Sequence, residues 1–300
     1  MVGLRRRPSF FFPIEIRCVS QFQLPVLNDE SPPDVAAWPD QRKASIQQAF
    51  ARAAGNYDQH ADVQRQVAEM LAQRLPNSVP RQVLELGCGT GLYTQLLCER
   101  FPAAELTAVD FCGAMLEQAR NKLADNAGIR WQLADIENQE LYREEQQRYE
   151  LVTSSGTLQW LTNVNALFAR TRRVLRSGGE LVFASFGPQT YCELNDVLQV
   201  AQLEAVSLAA ARFRPIEQLE SSLCRNFDHV QIERHSLIRT QPTLLDLLSV
   251  IRQTGTAGPR SAVRWSRALV ERLERIYLER HGAIRSSYEV FFVRASGPRH

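Results

Sequence analysis

The chain has 300 residues, 44% hydrophobic and 23% charged, ordinary values for a soluble globular protein. A net charge of +2 gives no bulk pull toward nucleic acid or a membrane surface, and no apolar run reaches the roughly 20 residues that a bilayer span needs. Six cysteines are scattered without a C-x-x-C pair, which argues for a reducing, cytoplasmic setting rather than a disulfide-stapled one.

The first forty residues differ from the rest. "LRRRPSFFFPIEIRC" carries a run of three arginines, then three phenylalanines, then a proline, and its apolar stretch is too short for an export signal, broken by Pro13 and Glu15. An arginine-rich, acid-poor transit composition fits residues 1–14 alone. The acidic, proline-rich "NDESPPDVAAWPD" that follows reads as an irregular linker. Residues 1–42 are therefore expected to form a disordered extension, and residues 43–295 the folded domain.

From Lys43 apolar residues recur at helical spacing, broken at Gly55-Asn56, which predicts two helices, the second ended by Pro76 and Pro80. Strands and helices then alternate: strand 83–86, a glycine turn at 87–91, helix 92–100; strand 105–109 ending at Asp110, helix 113–124; strand 129–133 with Asp135 just beyond. Strand 150–154, helix 164–175 and strand 180–185 continue the rhythm. Such alternation predicts an α/β fold with a doubly wound, mostly parallel sheet covered on both faces. Residues 187–228 read as a helical insertion over the strand ends. Strands at 229–239 and 286–295, separated by two helices, are expected to finish a seven-stranded sheet as an antiparallel pair.

The glycine turn, "VLELGCGTG", lies where open α/β sheets bind ligands. A phosphate loop needs G-x-x-x-x-G-K-[ST], and no lysine follows here. The dinucleotide spacing G-x-G-x-x-G is missed by one residue. Glu85, two before Gly87, would repel a pyrophosphate but suits a ligand with an amino group or a positive charge. S-adenosylmethionine has a sulfonium, an α-amino group and no phosphate. The pattern through Glu85, Gly87, Cys88, Gly89 and Gly91 resembles motif I of the Rossmann-like class I methyltransferases. That resemblance implies that Asp110 takes the ribose hydroxyls, Asp135 and the Ile136 amide the adenine edge, and Met115 the adenine face. Ser154, ending the fourth strand, is placed in the same donor set.

Two further stretches resemble the malonyl-[acyl-carrier protein] O-methyltransferase family of the biotin pathway. One is F-x-x-A-x-x-x-Y-[DE]-x-H-A-x-x-Q, met by Phe50, Ala53, Tyr57, Asp58, His60, Ala61 and Gln64; the other is S-[NS]-x-x-x-Q-W, met by Ser154, Ser155, Gln159 and Trp160. The resemblance covers roughly residues 43–295, loosely in the last third. It implies methyl transfer from S-adenosylmethionine to the free carboxyl of malonyl-acyl carrier protein, with Tyr57, Gln159 and Trp160 at the acceptor and residues 187–228 as a substrate cap. A carboxylate, with a pKa near 4, needs no general base, and neither a nucleophile triad nor metal-ligand spacing is evident. His229 and His235 share a strand face without a third ligand.

An arginine suits a carboxylate, and Arg212, Arg214, Arg252 and Arg260 are candidates. Acyl carrier proteins are acidic, so a basic docking face is expected. Its candidates are Arg170, Arg172, Arg173 and Arg176 at one helix end, and Arg260, Arg264 and Arg267. Three other functions remain open: a small-acid methyltransferase of the trans-aconitate type, an arginine hydroxylase similar to a complex I assembly factor, and a non-catalytic adenosylmethionine-binding subunit.

Overall fold

The computed structural model describes residues 14–17, 40–143, 148–203, 206–256, 263 and 265–298. Its elements are, in order, β1 (Ile14–Arg17), α1 (Asp40–Ala53), α2 (Tyr57–His60), α3 (Asp62–Ala72), β2 (Gln82–Leu86), α4 (Leu92–Arg100), β3 (Glu105–Asp110), α5 (Gly113–Lys122) and β4 (Ile129–Leu133). Then follow β5 (Tyr149–Ser155), α6 (Val164–Val174), β6 (Leu175–Phe186), α7 (Cys192–Val200), α8 (Ile216–Cys224), β7 (Phe227–Gln241), α9 (Leu244–Gln253), α10 (Arg267–His281) and β8 (Ile284–Pro298).

Successive residues of the central strands point to opposite faces, and both are apolar and buried, as a sheet covered on two sides requires. Val83 and Leu84 in β2, and Leu181, Val182, Phe183 and Ala184 in β6, alternate between two hydrophobic layers. One layer is closed by α3, α4, α7, α9 and α10, the other by α6 and α8. Helix α3 shows why: its buried residues Val63, Val67, Ala68 and Leu71 fall on one stripe. The helix ends use local chemistry. Asn163 accepts from the Ala166 N–H to start α6, Thr243 and Asp246 form a capping box on α9, and Gly282 closes α10 at φ 71°.

The strands run β1-β7-β8-β6-β5-β2-β3-β4. Strands β2 to β6 pair in parallel, and β8 is antiparallel to both β6 and β7. The seven-stranded, mostly parallel sheet is thus as expected. An eighth strand, β1, pairs antiparallel with β7 from Ile14↔Ile232 to Arg17↔His229. It falls within the stretch read as a disordered extension; the alternation Ile-Glu-Ile-Arg was its signal. The rest of residues 1–39 lies outside the described residues.

Two further details depart from expectation. Gly178 and Gly179 lie inside β6, in a segment where the β5–β6 register jumps from Tyr149↔Leu175 to Leu151↔Glu180. The region 187–228 is not one helical block: α7 packs on β8 and α10, α8 on β7 and α6. Between them, Phe213 reaches back to Trp160.

The chain builds outward from β2 through β3 to β4, then returns to β5 on the other side of β2. The carboxyl ends of β2 and β5 therefore flank a topological switch point, the place where such sheets leave a crevice.

Candidate active site

A cleft holding about 1150 Å³ of empty space, part of it open to solvent, occupies that crevice. It is lined by Glu85, Gly87, Cys88, Gly89, Asp110, Met115, Asp135 and Ile136 on one side and by Tyr57, Gln159 and Trp160 on the other. Eleven of the thirteen candidate residues meet there although they come from five separate segments.

The three glycines of the turn do different things. All have positive φ. A Cβ on Gly87 would lie 2.2 Å from Oγ1 of Thr157, whose hydroxyl donates to the Gly87 carbonyl, so Gly87 is a contact between two loops. A Cβ on Gly89 would meet nothing within 4 Å, which leaves room for a ligand to approach the backbone. Gly91 does not line the cleft. A Cβ there would come within 3.1 Å of Ala119, so this glycine lets α4 start against α5.

Glu85 is 1% exposed, and its Oε2 has no hydrogen-bond partner among the described residues. Burial pushes its carboxyl up to about 8; the neighbouring Thr94 side chain opposes the shift and the Asp110 charge adds to it. A buried carboxyl with an orphaned oxygen in a cleft wall fits a ligand carrying an amino or sulfonium group. Asp110 ends β3. Its Oδ2 accepts from the Gly89 N–H and its Oδ1 from the Cys112 N–H, both at 2.8 Å. Burial raises this carboxyl, and those backbone bonds oppose the rise. Each oxygen retains a lone pair for a vicinal hydroxyl. Asp135 accepts from the Glu137 N–H at 2.8 Å, and Ile136 and Met115 are buried apolar wall. Ser154 is also buried but off the cleft, donating to the Leu86 carbonyl at 2.6 Å; Ser155 lines the cleft instead.

Helices α1 and α2 cover this site. Asp58 accepts from the Thr90 hydroxyl at 2.6 Å and pairs with Lys122, whose ammonium also donates to the Thr90 carbonyl at 2.8 Å. Gln47 donates to the Phe111 carbonyl at 2.7 Å. At its N-terminal end α1 is held by Lys43, which pairs with Asp135 and, at 2.8 Å, with Glu137. Burial works against the Lys43 charge, but the hydrogen bonds and charges of those two carboxylates outweigh it and hold the amine above its ordinary value. Lys43, Thr90 and Glu137 carried no sequence signal of their own.

On the acceptor side Trp160 sits edge-on to Phe50 at 5.6 Å and to Phe213 at 5.3 Å. Gln159 is buried; its amide donates to the Gly156 carbonyl at 2.6 Å and accepts from Ser185 Oγ at 3.3 Å. Tyr57 is held protonated by burial, then by the charges of Asp58 and Asp110. Among the described residues no arginine lines the cleft. Arg214 is buried and donates to the carbonyls of Leu161 (2.9 Å) and Thr162 (2.7 Å), so its guanidinium serves the backbone. Arg260 and Arg264 lie outside the described residues.

Arg172, Arg173 and Arg176 fall at the wrong end of the sheet for this cleft. Arg172 and Arg173 lie in the last turn of α6 and Arg176 at the start of β6, at the amino ends of the strands, where Arg176 pairs with Glu150 at 2.5 Å. The seven residues of β5 put that edge about 20 Å from the cleft. Arg170 sits further up α6, near Tyr142. Arg267 is exposed and pairs with Glu271. His235 bonds Glu233 at 3.1 Å and packs edge-on to Phe292, while His229 is exposed.

The family described as "Methyltransferase domain" matches residues 83–179, the stretch from β2 into β6 that builds the donor side. The chain is 32% identical over 260 residues to the malonyl-[acyl-carrier protein] O-methyltransferase of Anoxybacillus flavithermus, covering 84% of this chain and 96% of that protein. It is equally 32% identical over 267 residues to the protein of the same name from Geobacter sulfurreducens, covering 84% and 97%. Among solved structures the YcgJ protein of Bacillus subtilis has a TM-score of 0.55 at 12% identity, covering 78% of this chain and 99% of that one. A putative methyltransferase of Bacillus halodurans gives 0.53 at 16% identity, covering 77% and 99%. These two likenesses concern the fold. Nearly full-length likeness to the named relatives, together with the glycine turn and its acids in one cleft, establishes that this chain belongs to the malonyl-[acyl-carrier protein] O-methyltransferase family.

Proposed function

We propose that the chain methylates the free carboxylate of malonyl-acyl carrier protein, using S-adenosylmethionine, and so forms the methyl ester from which pimeloyl is built for biotin. The observation that carries this reading is a single cleft joining the glycine turn and its three acids to the wall of Tyr57, Gln159 and Trp160. The relatives' names supply the acceptor. No observation favours the trans-aconitate, arginine-hydroxylase or non-catalytic readings.

The donor supplies an electrophilic methyl group on a sulfonium. Glu85 and the Gly89 backbone would hold its methionine end, Asp110 its ribose, and Asp135, Ile136 and Met115 its adenine. The acceptor carboxylate is ionised at neutral pH, so the chain has no proton to remove from it. Its work is positioning and desolvation. Tyr57, kept protonated, donates a hydrogen bond rather than acting as a base. Gln159 has one amide N–H committed to Gly156 and a second to offer the acceptor. The aromatic wall of Phe50 and Trp160, the latter backed by Phe213, excludes water from the reacting oxygen.

The carrier protein must deliver its thioester arm to the open side of the cleft. Exposed Arg212, next to the Phe213 that packs on Trp160, and exposed Arg252, on α9 one turn before the cleft-lining Thr256, are the candidates for that contact. On this reading the acidic partner docks at the mouth of the cleft rather than at the α6 arginines. The compartment is the one that holds acyl carrier protein, which we take to be the cytoplasm. Among the described residues, no helix is long and apolar enough to cross a membrane.

Expression of this chain in a bacterium lacking its biotin-pathway methyltransferase is expected to restore growth without biotin. A strain that makes the protein in soluble form yet still requires biotin would contradict the assignment.

A further inference from the structure

Residue Glu137 joins three parts of the molecule that the sequence keeps far apart. Its Oε2 accepts from Lys43 at 2.8 Å, at the start of α1, the helix lying over the donor side. Its Oε1 accepts from the backbone N–H groups of Thr162 at 2.9 Å and Asn163 at 2.8 Å. Those two residues follow directly on Gln159, Trp160 and Leu161, which line the acceptor side. The same short segment is gripped from the opposite direction by Arg214, through the carbonyls of Leu161 and Thr162. Glu137 itself follows Asp135 and Ile136, the pair assigned to adenine. The Glu137 side chain is 14% exposed, so its bonds are shielded from water and from salt.

We propose that Glu137 is a positioning residue of the methyl-transfer reaction: one oxygen latches α1 over the donor while the other fixes the acceptor-side loop, so that the two halves of the cleft close as a unit. The two oxygens have separable tasks. The Lys43 contact depends on charge. The contacts with Thr162 and Asn163 need only an acceptor oxygen, which an amide also supplies. A glutamine in place of Glu137 therefore keeps the loop and weakens the latch; an alanine frees the loop and leaves Lys43 only its pair with Asp135.

The inference rests on the donor and acceptor assignments above, and its test is arranged to fail separately from them. Backbone hydrogen exchange is measured on the full-length protein, first without ligand. E137Q is expected to speed exchange in α1 several-fold and to leave the Thr162 and Asn163 amides protected. E137A is expected to speed both. S-adenosylhomocysteine is then added, and its dissociation rate is expected to rise about tenfold in both variants, as loss of a partly shielded charge pair implies. In turnover with malonyl-acyl carrier protein, E137A raises the acceptor KM and lowers kcat, whereas E137Q leaves the acceptor KM near its original value. Equal exchange in α1 for the unchanged protein and both variants would overturn the latch. Equal exposure of Thr162 and Asn163 in E137Q and E137A would overturn the division between the two oxygens. If S-adenosylhomocysteine fails to bind the unchanged protein, the donor assignment falls, and the ligand-free exchange still decides the latch.

Discussion

Replacing Asp110 by alanine is expected to weaken S-adenosylhomocysteine binding by about 100-fold or more, measured by titration calorimetry. The carboxylate is buried at the end of β3 and already holds the glycine turn through the Gly89 N–H and the start of α5 through the Cys112 N–H. Alanine therefore removes two acceptors for the ligand's hydroxyls and also leaves two backbone donors without their partner. The asparagine variant separates these effects. Its amide oxygen can still accept one of the two backbone bonds, so the protein keeps more of its melting temperature, while the charge that favours paired hydroxyl donors is gone. An alanine variant that binds the ligand as tightly as the unchanged protein would remove Asp110 from the donor site.

Donor binding is also expected to depend on pH through Glu85. Its carboxyl is pushed up to about 8, chiefly by burial, so the ligand-free protein carries it largely protonated at neutral pH. A ligand with a cationic amino group favours the ionised form, so binding displaces the proton. Affinity should then rise as pH increases from 6 toward 8, by up to about tenfold per unit, and level off above about 8. Calorimetry at pH 7 in buffers of different ionisation enthalpy should show close to one proton released per ligand bound. Glu85→Gln should abolish both effects. Stability has the opposite sign. Because the folded protein holds this proton more tightly than the unfolded chain does, the contribution is complete below the ordinary value of 4.5 and is lost as pH rises toward 8. Proton release that persists in the glutamine variant would place the titrating group elsewhere.

Much of this site was legible because strand-ending acids and a glycine turn are local signals. Glu85, Asp110 and Asp135 each sit at a fixed place relative to a strand, and parallel pairing brings those places together. Tyr57, Gln159 and Trp160 were legible through two stretches that resemble a family. The parts that were missed act over long separations. Lys43 and Glu137 are 94 residues apart, Arg214 and Leu161 are 53 apart, and no periodicity connects them. Asp58 belonged to a recognised stretch, but its task, docking α2 on the glycine turn, depends on Thr90 and Lys122.

Two readings needed three-dimensional direction rather than pattern. The Arg172, Arg173 and Arg176 cluster looked like a docking face, yet a helix that follows a parallel strand runs back from the ligand end of the sheet, so its last turn is remote from the cleft. Gly91 belongs to the glycine motif by spacing, but its neighbour Ala119 is on the protein side, and its freedom serves packing. Strand β1 was missed because four alternating residues between arginine-rich and proline-rich stretches carry little weight until β7 offers an edge.

The proposed chemistry is tested most directly by mixing the purified full-length chain with malonyl-acyl carrier protein and S-adenosylmethionine labelled in the methyl group. The expected result is label on the carrier protein as a base-labile methyl ester, suppressed by S-adenosylhomocysteine, with free malonate and aconitate far poorer acceptors. Label transferred equally well to the free acids, or no label on the carrier protein at all, would contradict it.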